Sequence, residues 1–142
     1  MSGTTQNADF ESEQYETFCA ESEERIESAI TALLRLEKSG KNWHETSNAQ
    51  KQFFQELKLL KESSQNSKLQ DFQIVVALME TTLSPLKDKK GLTLSETDYQ
   101  SLYEAIDLIN ELILLKAKDK GRKKLCNNIQ KLLSDIKPIK HS

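Results

Sequence analysis

Apolar residues recur along this chain at spacings of three and four, the period of helices that bury one face. Tyr15, Phe18, Ser22, Ile26, Ala29, Leu33 and Leu36 form the first stripe, widened by Ile30 and Leu34. They predict a helix over 9–39, with Gly40 at its C-terminal cap and residues 1–8 as a disordered tail. Residues 41–46 read as a loop in which Trp43 seals one end of the fold and His44 lies at the surface. Ser47, with Gln50 three residues on, reads as a capping box opening a second helix to about residue 64. Phe53, Leu57, Leu60 and Ser64 share its inner face. The neighbouring face carries Phe54, Lys58, Lys61 and Gln65, too charged for a core yet holding a large aromatic, as a docking surface does. The turn formers Ser63-Ser64-Gln65-Asn66-Ser67 follow.

A third helix is predicted from about residue 68, with Leu69, Phe72, Val76, Met79, Leu83 and Leu86 inward and Val75 and Leu78 beside them. Pro85 lacks a backbone donor, so a kink or stop is expected near Ser84. Residues 87–94 form a charged linker. Ser95 and Asp98 then cap a fourth helix striped by Tyr99, Leu102, Ile106, Ile109 and Ile113. Leu112, Leu114 and Leu115 make its end apolar nearly all round, which predicts burial on several sides. A basic turn over 116–121 leads to a fifth helix over 122–137, with Leu125, Ile129, Leu132 and Ile136 inward and Pro138 as its stop. Residues 139–142 are a short tail.

Five helices with short connections predict an all-α domain over 9–138: an antiparallel four-helix bundle with a fifth, C-terminal helix packed on it. Each fully buried Leu or Ile contributes about 1.5–3 kcal/mol before conformational entropy is counted, so the predicted stripes suffice for one domain.

Composition agrees with a helical, water-facing protein: of 142 residues, 30% are charged and 37% hydrophobic, with few Gly and Pro. The net charge of −2 offers no bulk argument for nucleic acid. The two ends differ, however. Residues 1–38 hold nine acids against Arg25, Arg35 and Lys38, whereas residues 116–142 hold nine Lys or Arg against Asp119 and Asp135. Either the two segments pair as neighbouring helices, or the basic end is a patch for an acidic partner. No apolar run approaches the roughly 20 residues of a membrane span, and no basic-then-apolar leader opens the chain. A cytoplasmic protein is expected, with signal-less secretion left open.

No catalytic set is evident. The chain has no Gly-rich phosphate loop, no Glu-x-x-His metal pair and no Cys with a partnering His. Cys19 and Cys126 have apolar neighbours and read as free thiols in a reducing compartment. The expectation is a non-enzyme without metal or cofactor.

Residues 14–133 nevertheless resemble a histidine-containing phosphotransfer (HPt) domain, most of all the type at the N-terminus of chemotaxis histidine kinases. The family's second helix reads Phe-Arg-x-x-His-x-(Leu/Ile)-Lys-Gly-(Ser/Gly). Phe54-Gln55-Glu56-Leu57-Lys58-Leu59-Leu60-Lys61-Glu62-Ser63 lies over it without a gap. Phe18-Cys19-Ala20-Glu21 with Leu33-Leu34-Arg35-Leu36-Glu37, then Leu78-Met79-Glu80, then Glu104-Ala105-Ile106-Asp107 continue the likeness. The resemblance implies a five-helix bundle whose second helix meets a response-regulator receiver or a histidine kinase. It also places Lys58 at the phosphoacceptor His and Glu62 at the Gly that gives the receiver clearance. A lysine ammonium is no nucleophile unless burial strips its proton, and Glu62 adds bulk and negative charge where phosphate would sit. Lys61 matches the family's Lys, and Glu80 matches a third-helix Glu that bonds the His ring; Ala77 stands where a second His is found in some members.

A Lys58–Glu80 ion pair is therefore expected, and Phe54, Lys58, Lys61, Glu62 and Gln65 form the expected docking face. The functional expectation is a pseudo-phosphotransfer module in two-component signalling that binds its partner without accepting phosphate. The alternative is a helical-bundle adaptor, secretion chaperone or secreted effector unrelated to phosphorelay.

Overall fold

The computed structural model describes residues 2–39, 42–64, 69–88, 92–115 and 120–140. Five helices occupy most of them: α1 (Ser2–Ser39), α2 (Trp43–Ser64), α3 (Gln70–Asp88), α4 (Glu96–Leu114) and α5 (Gly121–Ser134). The fold is all-α in that sense. Two short strands, β1 (Leu92–Thr93) and β2 (Ile139–Lys140), add one antiparallel ladder in which Leu92 faces Lys140 and Thr93 faces Ile139. That ladder is absent from the helical reading, because two-residue strands carry no periodicity.

The predicted stripes become one core. Phe53, Leu57 and Leu60 of α2, Phe72, Val76, Met79, Leu83 and Leu86 of α3, and Leu102, Ile106, Ile109 and Ile113 of α4 are all buried. Phe18, Ile26, Ala29, Leu33 and Leu36 bring α1 into the same cluster, and the Phe18 and Phe72 rings meet edge-on with centroids 5.3 Å apart. Helix α1 packs on α2 and α4, α3 on α2, α4 and α5, and α4 on α5.

Boundaries moved where side chains capped the backbone differently than the pattern implied. Helix α1 continues back to Ser2 through residues read as a tail. Helix α2 opens at Trp43 rather than after Ser47. Asn42 is its cap: the Asn42 Oδ1 accepts the Glu45 N–H at 3.2 Å, and the Asn42 carbonyl accepts the Thr46 N–H at 2.9 Å. Gly40, Gly91 and Gln65 lie outside the described residues, as does the Trp43 side chain.

Pro85 does not end α3, which runs on to Asp88. The carbonyl that Pro85 leaves without its helical donor is that of Thr81, and the Ser84 hydroxyl donates to it at 2.9 Å. At Ser95 the prediction holds: Ser95 Oγ accepts the Asp98 N–H at 3.1 Å while the Asp98 carboxylate accepts the Ser95 N–H at 3.4 Å. The end of α4 is one-sided, with Leu112 and Ile113 buried but Leu114 69% exposed. Helix α5 is rotated from the expected face, turning Arg122, Cys126, Ile129 and Leu133 inward and leaving Leu125 and Leu132 at the flank. It ends at Ser134, ahead of Pro138. Among the described residues α1 and α5 share no packed face, so the acidic and basic ends do not pair as neighbours.

Candidate functional site

The outer face of α2 is the surface that the sequence singled out. Its inner face is anchored by Phe53, Leu57, Leu60 and Ser64, and its flanks are tied to both neighbours. On the α1 side, the Glu56 carboxylate lies 3.4 Å from the Arg25 guanidinium, and Arg35 donates to Gln52. On the α3 side, Lys61 Nζ lies 3.0 Å from Glu80 Oε1. That contact has the distance of an ion pair but lacks the angle of a hydrogen bond, since Oε1 is without a hydrogen-bond partner among the described residues. Gln55, Lys58 and Glu62 face solvent between these ties.

The expected Lys58–Glu80 pair is therefore corrected. Glu80 is taken by Lys61, one turn further along α2, and Lys58 makes no salt bridge among the described residues. Helical rotation explains it: Lys61 sits on the flank turned toward α3, while Lys58 stands on the crest. An exposed amine lacks the desolvation that makes a lysine nucleophilic. Phe54 is half-buried, packed against the core with its ring edge-on to Phe53 at 6.1 Å. It serves the core edge and the surface together. Lys58 and Glu62 are brought side by side on the crest, with Lys61 and Phe54 below them. His44 is exposed at the start of α2.

A second polar cluster escaped the sequence reading. Arg122 is buried, and its Nε and Nη2 each donate to the Asp71 carboxylate at 2.7 Å. Its Nη1 donates to the carbonyls of Leu112 at 2.9 Å and Leu115 at 2.7 Å. The Tyr15 hydroxyl shares its proton between the carbonyls of Ile113 and Leu115, and the Cys19 thiol approaches Ile113 O at 3.6 Å. These groups serve the carbonyls at the end of α4, of which Leu112 O also accepts the Leu115 N–H at 3.4 Å. The paired Arg122 guanidinium holds the Asp71 carboxyl below its ordinary range. Burial pushes the Tyr15 hydroxyl up to about 12, and burial also raises the thiols of Cys19 and Cys126. Neither thiol is poised as a thiolate. The signal for this cluster was Arg122 itself, in line with Cys126, Ile129 and Leu133 on the apolar face of α5.

Among the described residues no group of three or more His, Cys, Asp or Glu is arranged to hold a metal, and no helix is long and apolar enough to cross a membrane. No family model, curated protein or solved structure matches the chain.

Proposed function

We propose that this chain is an HPt-like antiparallel four-helix bundle with α5 as a fifth helix. In this reading it is a non-catalytic signalling module that docks a response-regulator receiver, a histidine kinase or a similar protein through the crest of α2 without accepting phosphate. The observation that carries the reading is the 3.0 Å Lys61–Glu80 pair beside the exposed Lys58. It supports the register in which the family's conserved Lys, its third-helix Glu and its phosphoacceptor position fall together on one surface. The opposed order of contacts between α1 and α4, with Tyr15 at Ile113 and Glu37 at Tyr103, supports the antiparallel arrangement.

The chemistry of the crest follows. Lys58 offers a solvated cation where the family offers an imidazole, and Glu62 sets a carboxylate beside it. Together they favour an acidic-and-polar protein surface over a phosphoryl group. Phe54 supplies a partly exposed apolar contact inside that polar rim.

The test is titration of the full chain with receiver domains from its own genome, read by calorimetry. A complex weakened about tenfold by Lys58→Glu is expected, with Leu114→Ser unchanged; failure of every receiver to bind removes the reading. Incubation with phospho-donors leaves the wild type unlabelled. The double change Lys58→His with Glu62→Gly gains acid-labile label if the helix descends from a phosphotransfer helix.

A plain adaptor bundle is the second reading. It is favoured by the packing of Phe54 on the core, and it predicts a binding partner that is not a receiver.

A further inference from the structure

The lysines of α5 have no role in the α2 surface, and the fold leaves them unneutralised. Lys120, Lys123, Lys124 and Lys131 are exposed, and none is in a salt bridge among the described residues. Helix α5 contains no acidic residue, and among the described residues the acidic helix α1 shares no packed face with it. On one side α5 lies against α3. The flank of α3 turned toward α5 is identified by Asp71, which bonds Arg122. Residues three and seven further on, Ile74 and Leu78, share that flank. Leu78 is half-buried, whereas Ile74 is 58% exposed. The outward residues of α3 around it, Gln70, Ala77, Thr81 and Ser84, carry no charge. The seam thus sets an exposed apolar side chain of α3, one turn from the Arg122-paired Asp71, beside a helix whose lysines make no salt bridge among the described residues.

We infer that the α3–α5 seam is a docking surface for an acidic amphipathic helix of a protein partner, with Ile74 and Leu78 receiving its apolar stripe and the α5 lysines its carboxylates. Charge complementarity sets the partner's sign, and the exposed isoleucine sets its class. A phosphate backbone has no apolar face to spend on Ile74. Helix α4, which also packs on α5, carries the exposed Glu104, Asp107 and Glu111, and their negative charge opposes a longer polyanion. A helix laid along a groove through residues at i, i+3, i+4 and i+7 matches this geometry.

The experiment uses the isotope-labelled full chain and follows backbone amide shifts. The probe is a synthetic helical peptide with leucines at i, i+3, i+4 and i+7 and glutamates elsewhere. Three controls accompany it: the same peptide with lysines for glutamates, polyglutamate, and single-stranded DNA. The acidic amphipathic peptide is expected to move the amides around Ile74 and along α5. Its affinity is expected to fall about tenfold in Ile74→Ser and in the double variant Lys124→Glu with Lys131→Glu, and to be unchanged in Leu34→Ser. These substitutions are all at exposed positions, so unchanged thermal unfolding accompanies them. The proposal is overturned if the peptide leaves α3 and α5 unmoved. It also falls if polyglutamate or DNA binds as tightly as the peptide. Self-association of the protein alone that is lost in the lysine variant overturns it in favour of a second copy of this chain.

Discussion

Arg122 shows how one side chain sets a local structure that no pattern of apolar residues announces. Its guanidinium serves a carboxylate on α3 and two carbonyls at the end of α4, so three helices meet on it. Removing the carboxylate leaves the buried cation without its partner. Asp71→Asn is expected to cost about 2 kcal/mol in urea unfolding, below the 3–5 kcal/mol of a fully buried pair because Asp71 is partly exposed. The pH dependence has a definite sign. The folded-state pKa of Asp71 is depressed, so the pair's stabilisation is complete above the ordinary carboxylate value of about 3.9. It is lost as the pH falls through the lower folded-state value. Asp71→Asn should therefore flatten the acid limb of stability against pH, and an unchanged limb would refute the assignment. Ser22 is the converse case. It is fully buried in α1, and its Oγ has no hydrogen-bond partner among the described residues. An unpaired buried hydroxyl costs about 1–3 kcal/mol, so Ser22→Ala is expected to raise the unfolding midpoint. A lower midpoint would mean the hydroxyl is satisfied in solution.

At the scale of the element, the helices begin and end where a side chain can take over from the backbone. Asn42 and Ser95 do so for α2 and α4. Replacing either with Ala is expected to cost about 1 kcal/mol. Ser47→Ala, at the position from which the pattern placed the cap, should change stability by less than about 0.5 kcal/mol. Equal losses at Ser47 and Asn42 would restore the later start of α2. The reason the pattern chose Ser47 is physical: both residues are good caps, and the choice between them rests on the Asn42 and Ser39 contacts across the α1–α2 turn. The tail of α4 divides in the same way. Leu112 is buried and Leu114 is exposed, although a run of leucines does not distinguish them. Leu112→Ala is expected to cost about 2–5 kcal/mol and Leu114→Ala under about 0.5 kcal/mol.

At the scale of the whole molecule, opposite charge at the two ends of the chain did not make α1 and α5 a packed pair among the described residues. Desolvation and packing of apolar stripes outweigh surface Coulomb attraction, which is worth about 0–1 kcal/mol per exposed pair. A double-mutant cycle on Glu23→Lys and Lys124→Glu should thus show a coupling near zero, within about 0.3 kcal/mol; a larger favourable coupling would place the two helices side by side. Charge left unpaired in the fold remains available to partners, on the crest of α2 and along α5.

The helical stripes of α2 to α4, the all-α class and the Ser95 cap were determined by the sequence alone, because periodic burial and local hydrogen bonds depend on neighbours within one or two turns. The α2 surface was legible for the same reason, since Phe54, Lys58, Lys61 and Glu62 are fixed relative to one another by a single helix. Only the tertiary structure decided that Lys61 rather than Lys58 meets Glu80, that Arg122 turns inward, and that Ser84 offsets Pro85 within α3. Each of these depends on how one helix is rotated against another, or on which of several competent groups reaches an open acceptor. Apolar spacing fixes a helix's buried face only to within the width of its stripe, and that width is larger than the rotation separating these outcomes.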